Sequence, residues 1–327
     1  MNKKKYLITG GTGFIGSAFV IDLVKDNHSV RVLDDNSRGD VHRLEEVEND
    51  IEFVNGDIRS YDDVMRACKG IDSVFHFAYI NGTEFFYTKP ELVLDVAVKG
   101  IVNVLDACIE HGIKEFFLAS SSEVYQTPPV TPTDETCPLI VPDPMNPRFS
   151  YGGGKIISEL MTINYGRKHF DRVIIFRPHN VYGPDMGWEH VIPQFIVRMK
   201  EICESTNSKD IEFPIQGSGW ETRAFIFISD FIDGLRLLME KGEHLNIYHI
   251  GNDEEVSVQS VAVEIGNFFE KNINIVSGES TEGSTSRRCP DISKLKKLGF
   301  IPEVNLKEGL PIAARWYIDH ANEKPVK

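Results

Sequence analysis

The stretch Gly10-Gly11-Thr12-Gly13-Phe14-Ile15-Gly16 follows the apolar run KKYLIT and leads into FIGSAFVIDLVKD, where apolar residues recur at helical spacing. A strand, a glycine turn and a helix in that order let backbone N–H groups and a helix N-terminus meet a pyrophosphate. The glycines read as GxGxxG at 11, 13 and 16 and as GxxGxxG at 10, 13 and 16. Gly10, Gly13, Phe14, Ile15 and Gly16 are therefore the first candidate cofactor contacts. The next apolar run, Val30-Arg31-Val32-Leu33-Asp34, ends in a carboxylate where an acceptor for both adenosine-ribose hydroxyls is needed. An anion there repels a 2′-phosphate, so NAD is expected over NADP. Arg38, close by, is a group that could accommodate that phosphate. The competing reading is a glycine turn that only packs a helix on a strand.

Outward from this stretch, the short runs SVRVLDD, EFVNGD, SVFHFAY, EFFLASS, VIIFRP and NIYHIG alternate with helical patterns. Strands interleaved with helices imply an α/β fold, a Rossmann-type parallel sheet with helices on both faces. After about residue 180 the spacing becomes irregular, which implies a smaller C-terminal substrate domain. The expected division is 1–178 for dinucleotide binding and 179–327 for substrate, with 229–251 returning to the first sheet. The proline-rich TPPVTPTDETCPLIVPDPMNP (127–147) reads as a rigid loop.

Composition narrows the function classes. The 327 residues are 41% hydrophobic, enough for a large core, and the net charge of −14 argues against a nucleic-acid or anionic-membrane surface. Five cysteines, at 68, 108, 137, 203 and 289, form no C-x-x-C pair and read as reduced thiols of a cytoplasmic protein. The basic MNKKK start is followed by too short an apolar segment for a signal peptide, and no run reaches membrane-spanning length. No histidine pair has metal-ligand spacing, so no metal is expected.

A second stretch asks its own question. Ser150-Tyr151-Gly152-Gly153-Gly154-Lys155 opens the helical pattern IISELMTINY, yet each glycine costs about 0.5–1 kcal/mol relative to alanine inside a helix. Close approach of another element or a ligand is the expected reason. Tyr151 and Lys155, four apart, share one helical face; in isolation they would read as an ordinary surface pair.

In order along the chain, GGTGFIG, the DDNSRG turn, GDIRS (56–60), HFA (76–78), SSSEVY (120–125), YGGGK and RPHNVYGP (177–184) resemble the extended short-chain dehydrogenase/reductases, and within them the nucleotide-sugar epimerase/dehydratase branch. The resemblance runs from residue 7 to about 310. It implies that Tyr151 and Lys155 are the catalytic Y-x-x-x-K pair, with Lys155 and an oxidised nicotinamide stabilising the phenolate. Ser121 would orient the same sugar hydroxyl. On the cofactor side, Asn36, Ser37 and Arg38 of the turn join Asp34, Asp57 and Ile58 flank the adenine, and Ala78 borders the cofactor. On the substrate side, Asn180 donates to the diphosphate and Arg223 and Arg288 pair with phosphates or lie near the sugar. Asn81, Thr83 and Glu84 of NGTEFFY, with Ser122, line the sugar pocket.

The implied chemistry is oxidation of a nucleotide-diphosphate sugar at C4 by NAD, giving a 4-keto intermediate. The preferred outcome is 4,6-dehydration, with Glu123 as the acid–base group at C5. Read as extended chain, Glu123 falls on the same side as Ser121 and reaches past C4. Alternatives are 4-epimerisation, decarboxylation of a nucleotide-linked glucuronate, and, outside enzymes, an NAD- or nucleotide-sensing protein. The family also implies a homodimer through the helix near Tyr151 and one spanning about 92–111. Three positions depart from its pattern: Tyr79 stands for a second alanine, Ala97 for an asparagine and Gln126 for a glycine.

Overall fold

The computed structural model describes residues 3–279 and 285–324. Its first six strands are β1 (Lys5–Thr9), β2 (Ser29–Asp34), β3 (Ile51–Asn55), β4 (Ser73–His76), β5 (Glu115–Ala119) and β6 (Arg172–Pro178). With Asn246–Ile250 they form a seven-stranded sheet in the order 246–250, β6, β5, β4, β1, β2, β3. Every pair among β1 to β6 is parallel. Parallel pairing requires both faces to be covered, and the strands are apolar on both: all four residues of β4 are buried. Side chains alternate as the pleat demands. Val74 joins a cluster with Leu7, Phe116 and Ile175, while Phe75 stacks on Phe117 at 4.1 Å and meets Phe19 at 4.6 Å.

The helices α1 (Phe14–Lys25), α2 (Tyr61–Cys68), α3 (Thr83–Thr88), α4 (Pro90–Glu110) and α5 (Ser150–His169) connect these strands. β1 has β2 on one side and β4 on the other. The order of connection therefore reverses at β1, and the crevice beyond the carboxyl ends of β1 and β4 is where such sheets bind ligands.

By compactness the chain divides into two units. The first comprises Met1–Gln126, Glu135–Pro178 and Gly234–His249; the second comprises Thr127–Asp134, His179–Asp233 and Ile250–Lys327. Part of the proline-rich loop thus belongs to the second unit. That unit has its own core, including Tyr182, Phe195, Phe213, Val261, Leu310 and Tyr317. It also holds a three-stranded sheet in which Thr222–Ala224 lies between Glu255–Ser257 and Arg287–Arg288. The five cysteines are free thiols. Among the described residues no helix is long and apolar enough to cross a membrane, and no three His, Cys, Asp or Glu side chains gather as metal ligands.

Candidate active site

The crevice at the reversal point holds a cleft of about 110 Å³. Of the residues read as cofactor contacts, Gly10, Gly13, Asp34, Ser37, Arg38, Asp57, Ile58 and Ala78 line it. Leu33, Asp35, Gly39, Gly56, Phe77, Tyr79, Ile80 and Val96 line it as well; sequence reasoning left these out because they are neighbours in space. Phe14, Ile15, Gly16 and Asn36 are not among its lining residues. Gly10 has φ +73°, and a Cβ there would lie 2.6 Å from the Ala78 nitrogen, while one on Gly16 would overlap the Gly10 carbonyl. No side chain is therefore tolerated where the backbone must approach a ligand. α1 begins after Gly13 with no side-chain cap, which leaves its first N–H groups to face an anion.

The Asp34 carboxylate is held in place by the backbone, accepting from Thr12 N at 3.0 Å and Asn36 N at 2.9 Å. Asn36 takes φ +56° to make that turn, a conformation asparagine tolerates. Two buried oxygens here, Thr12 Oγ1 and Asn36 Oδ1, have no hydrogen-bond partner among the described residues. Together with the fixed acceptor and the bare helix end, they fit the ribose and pyrophosphate of NAD. Asp57 is engaged differently. Burial raises its pKa, but hydrogen bonds from Arg59, the shortest 2.6 Å, outweigh burial and hold it below the usual range.

Beside the cleft lie Ser121, Glu123, Tyr151 and Lys155. The Ser121 side chain favours the ionised form of Tyr151, and Glu123 acts on Tyr151 by its charge in the opposite sense. The Ser122–Val124 segment is a single 3-10 turn, not the extended run expected, because Ser121 Oγ accepts from Glu123 N at 3.1 Å and caps it. The turn moves Glu123 out of simple alternation and still leaves its charge felt at Tyr151. Lys155 Nζ donates to the Ala119 carbonyl at 2.7 Å and lies 5.9 Å from the Tyr151 ring centre. Burial pushes Lys155 down to about 7 against the pull of Glu159. Burial pushes Tyr151 up to about 12, with Ser121 opposing and Glu123 adding to the rise. The chain's own groups therefore keep the phenol protonated.

The three glycines now have separate explanations. A Cβ on Gly152 would overlap the Gln126 amide and lie 2.7 Å from the Glu123 carbonyl. One on Gly154 would overlap the Tyr79 hydroxyl and lie 2.8 Å from Ala97 Cβ on α4. On Gly153 it would meet only Val141 Cγ2, at an ordinary 3.5 Å. The side chains pressing on Gly152 and Gly154 are those of Gln126, Tyr79 and Ala97, the three positions that depart from the family pattern. Tyr79 donates to the Tyr151 carbonyl at 3.2 Å and packs edge-on to its ring at 5.0 Å.

Behind the site is a polar cluster that the sequence reading missed. Arg177 binds Glu159 through Nε at 2.8 Å and a terminal nitrogen at 2.6 Å, with both side chains 2% exposed. Ser120 also donates to Glu159, and Tyr125 is bonded to Arg177 and, at 2.6 Å, to His249. These contacts hold both ends of the 120–126 loop. Extending the four-residue spacing of Tyr151 and Lys155 by one more turn would have pointed to Glu159.

The segment Asn81, Thr83 and Glu84 is exposed, so these three polar groups do not form a buried wall. The inward residue of α3 is Phe86, whose ring lies 5.0 Å from that of Tyr151. Phe85 lies under the Arg38 guanidinium at 4.4 Å. Ser122 is buried.

In the second unit, the Asn180 amide donates to the Ala224 carbonyl at 2.9 Å, and its backbone has φ +42°. Arg223 and Arg288 are direct neighbours across paired parallel strands, an arrangement hidden in the sequence because the strands are only three and two residues long. Each has a local bond, Arg223 to the Thr222 carbonyl at 2.7 Å and Arg288 to Thr285 Oγ1 at 3.2 Å.

Residues 6–251 match the NAD dependent epimerase/dehydratase family. The chain is 32% identical over 314 residues to UDP-glucuronic acid decarboxylase 2 of Arabidopsis thaliana, covering 95% of this chain and 67% of that protein. It is 29% identical over 333 residues to a UDP-N-acetyl-alpha-D-glucosaminuronate decarboxylase of Bacillus cytotoxicus, covering 98% and 100%. A dTDP-glucose 4,6-dehydratase of Streptomyces venezuelae, solved with NAD bound, superposes with a TM-score of 0.85 at 27% identity over 98% of both chains.

Proposed function

We propose that this chain, which belongs to the NAD-dependent epimerase/dehydratase family and is an NAD enzyme of nucleotide-sugar modification, decarboxylates a nucleotide-linked uronic acid. The observation that carries this reading is the Ser121-Ser122-Glu123 turn, which offers one carboxylate beside Tyr151. Dehydration, the outcome preferred from sequence, requires a group to remove the C5 proton and another to protonate the C6 hydroxyl as it leaves. Here the position between Ser121 and Glu123 is a serine, whose hydroxyl is a poor acid at neutral pH. A uronic acid carries its own leaving group. Once C4 is a ketone, the carboxylate on C5 is β to it, and the C5–carboxylate bond breaks to release carbon dioxide and leave its electron pair in an enolate.

When bound, NAD would supply the acceptor and later donor of the two electrons at C4 and, in its oxidised form, a positive charge. Gly10, Gly13 and the α1 N-terminus would hold its pyrophosphate, and Asp34 its adenosine ribose. Tyr151 and Ser121 hold the C4 oxygen between them, and the Tyr151 hydroxyl moves its proton. Lys155, anchored on Ala119, places an ammonium on the same side. Glu123 holds the proton that C5 takes up once carbon dioxide has left. In the second unit, the paired Arg223 and Arg288 are guanidinium forks suited to a diphosphate, and Asn180 is a further donor. The similarity to two decarboxylases acting on UDP-linked uronic acids favours a UDP-linked substrate.

The test is mass spectrometry of products from UDP-glucuronate, UDP-N-acetylglucosaminuronate, dTDP-glucose and UDP-glucose. Loss of carbon dioxide from a uronate, abolished by Tyr151→Phe, supports the reading. Loss of water from dTDP-glucose or a change of configuration at unchanged mass, with both uronates untouched, overturns it.

A further inference from the structure

We propose that Tyr79 is a positioning residue for Lys155, holding the ammonium against the face of its ring. Lys155 Nζ lies 3.8 Å from the Tyr79 ring centre, well inside the range of a cation–π contact. Lys155 is 3% exposed, so the ring does not compete with bulk water for it. Of its three N–H donors, one is directed to the Ala119 carbonyl, and the ring supplies a second electron-rich surface. The ring is itself fixed through its hydroxyl on the Tyr151 carbonyl. Space for it comes from Gly154, where any Cβ would overlap that hydroxyl, and from the small Ala97 beside it.

The other titratable groups near Lys155 leave this role open. Glu159, on the same helix, attracts the ammonium but is bound on both oxygens by Arg177. His76, on β4, is pushed down to about 3 by burial and then by Lys155, so it is neutral. Tyr151 presents its ring at 5.9 Å. Burial raises the Tyr79 phenol well above its ordinary value, with Tyr151 adding to the rise, so the ring faces the ammonium as a neutral phenol. With burial drawing Lys155 towards neutral pH, a contact that favours its charged form sets the fraction of ammonium at working pH.

The catalytic consequence rests on the proposed role of Lys155, so the test reads Lys155 directly as well as turnover. The NAD-loaded protein is labelled with carbon-13 at lysine Cε, the Lys155 signal is assigned with Lys155→Arg, and its titration is followed by NMR. Position 79 carries tyrosine, phenylalanine, leucine, or phenylalanine with increasing ring fluorination, which weakens the π face at nearly constant shape. Tyr79→Phe should leave the midpoint in place. Tyr79→Leu should lower it by about one pH unit, and each fluorination step should lower it further, with the alkaline limb of kcat/KM moving in parallel. The fluorinated series carries the test if the leucine variant does not fold. A midpoint unchanged across the series, or a phenylalanine shift as large as that of leucine, overturns the proposal. If Tyr151→Phe retains turnover, the catalytic reading falls by itself, since the titration of Lys155 does not depend on it.

Discussion

Alanine at Gly153 and at Gly154 of α5 gives a graded test of how closely this helix is packed. Inside a helix, alanine is favoured over glycine by roughly 0.5–1 kcal/mol. Gly153 meets only Val141 at an ordinary distance, so Gly153→Ala should stabilise the protein by about 0.5 kcal/mol and leave kcat unchanged. At Gly154 the same gain is set against a methyl group driven into the Tyr79 hydroxyl and held 2.8 Å from Ala97 Cβ. Overpacking of this kind costs about 1–3 kcal/mol, leaving a net loss of up to about 2.5 kcal/mol. Because the displaced ring is the one under Lys155, kcat should fall by about tenfold or more. Removing the hydroxyl leaves the ring carbon 3.5 Å from the new methyl, so Tyr79→Phe should recover about 1 kcal/mol in the double variant. Urea unfolding and steady-state kinetics on the wild type, the three single variants and the double variant suffice. Equal stability changes at 153 and 154, or strict additivity of Tyr79→Phe and Gly154→Ala, would refute the reasoning.

Asp34→Ala should weaken NAD binding by roughly ten- to a hundredfold, the loss of a charged acceptor, while NADP binding changes little; calorimetry with both dinucleotides measures the ratio. His76 is held neutral down to about pH 3, mainly by burial, whereas in the unfolded chain it titrates near 6.5. As pH falls between these values the unfolded state binds the extra proton, and stability drops by about 1.4 kcal/mol per unit. His76→Gln should remove that much slope from urea unfolding between pH 6 and 4, and an unchanged slope counts against it. Leu94 on α4 and Ile157 and Leu160 on α5 are apolar and exposed, Leu160 by 55%. A homodimer through these helices should be seen by light scattering, and Leu160→Lys should shift it to monomer.

The sheet was legible because its strands are short apolar runs bounded by turn residues, and the cofactor cleft because one glycine turn and one carboxylate suffice to mark it. What escaped the sequence depended on distant residues meeting. Tyr79 was visible as a departure from the family pattern, yet its partners Gly154 and Ala97 lie on two other elements. Ser122–Val124 is one turn long, too short for any periodicity to distinguish it from extended chain. Glu159 sat one helical turn beyond Lys155, and its meaning required Arg177 from a neighbouring strand. The register that pairs Arg223 with Arg288 comes from strands too short to show alternation.

The loop from Ser120 to Gln126 is fastened at both ends, by Glu159 at Ser120 and by Arg177 and His249 at Tyr125. Between these fastenings lie the few side chains on which the fate of an oxidised sugar is proposed to depend. A chain built this way can exchange one reaction outcome for another by point changes inside the loop, while the machinery that oxidises C4 remains where it was. Divergence of product then requires no intermediate with a damaged scaffold, and overall identity between two such chains is a poor guide to what either one makes.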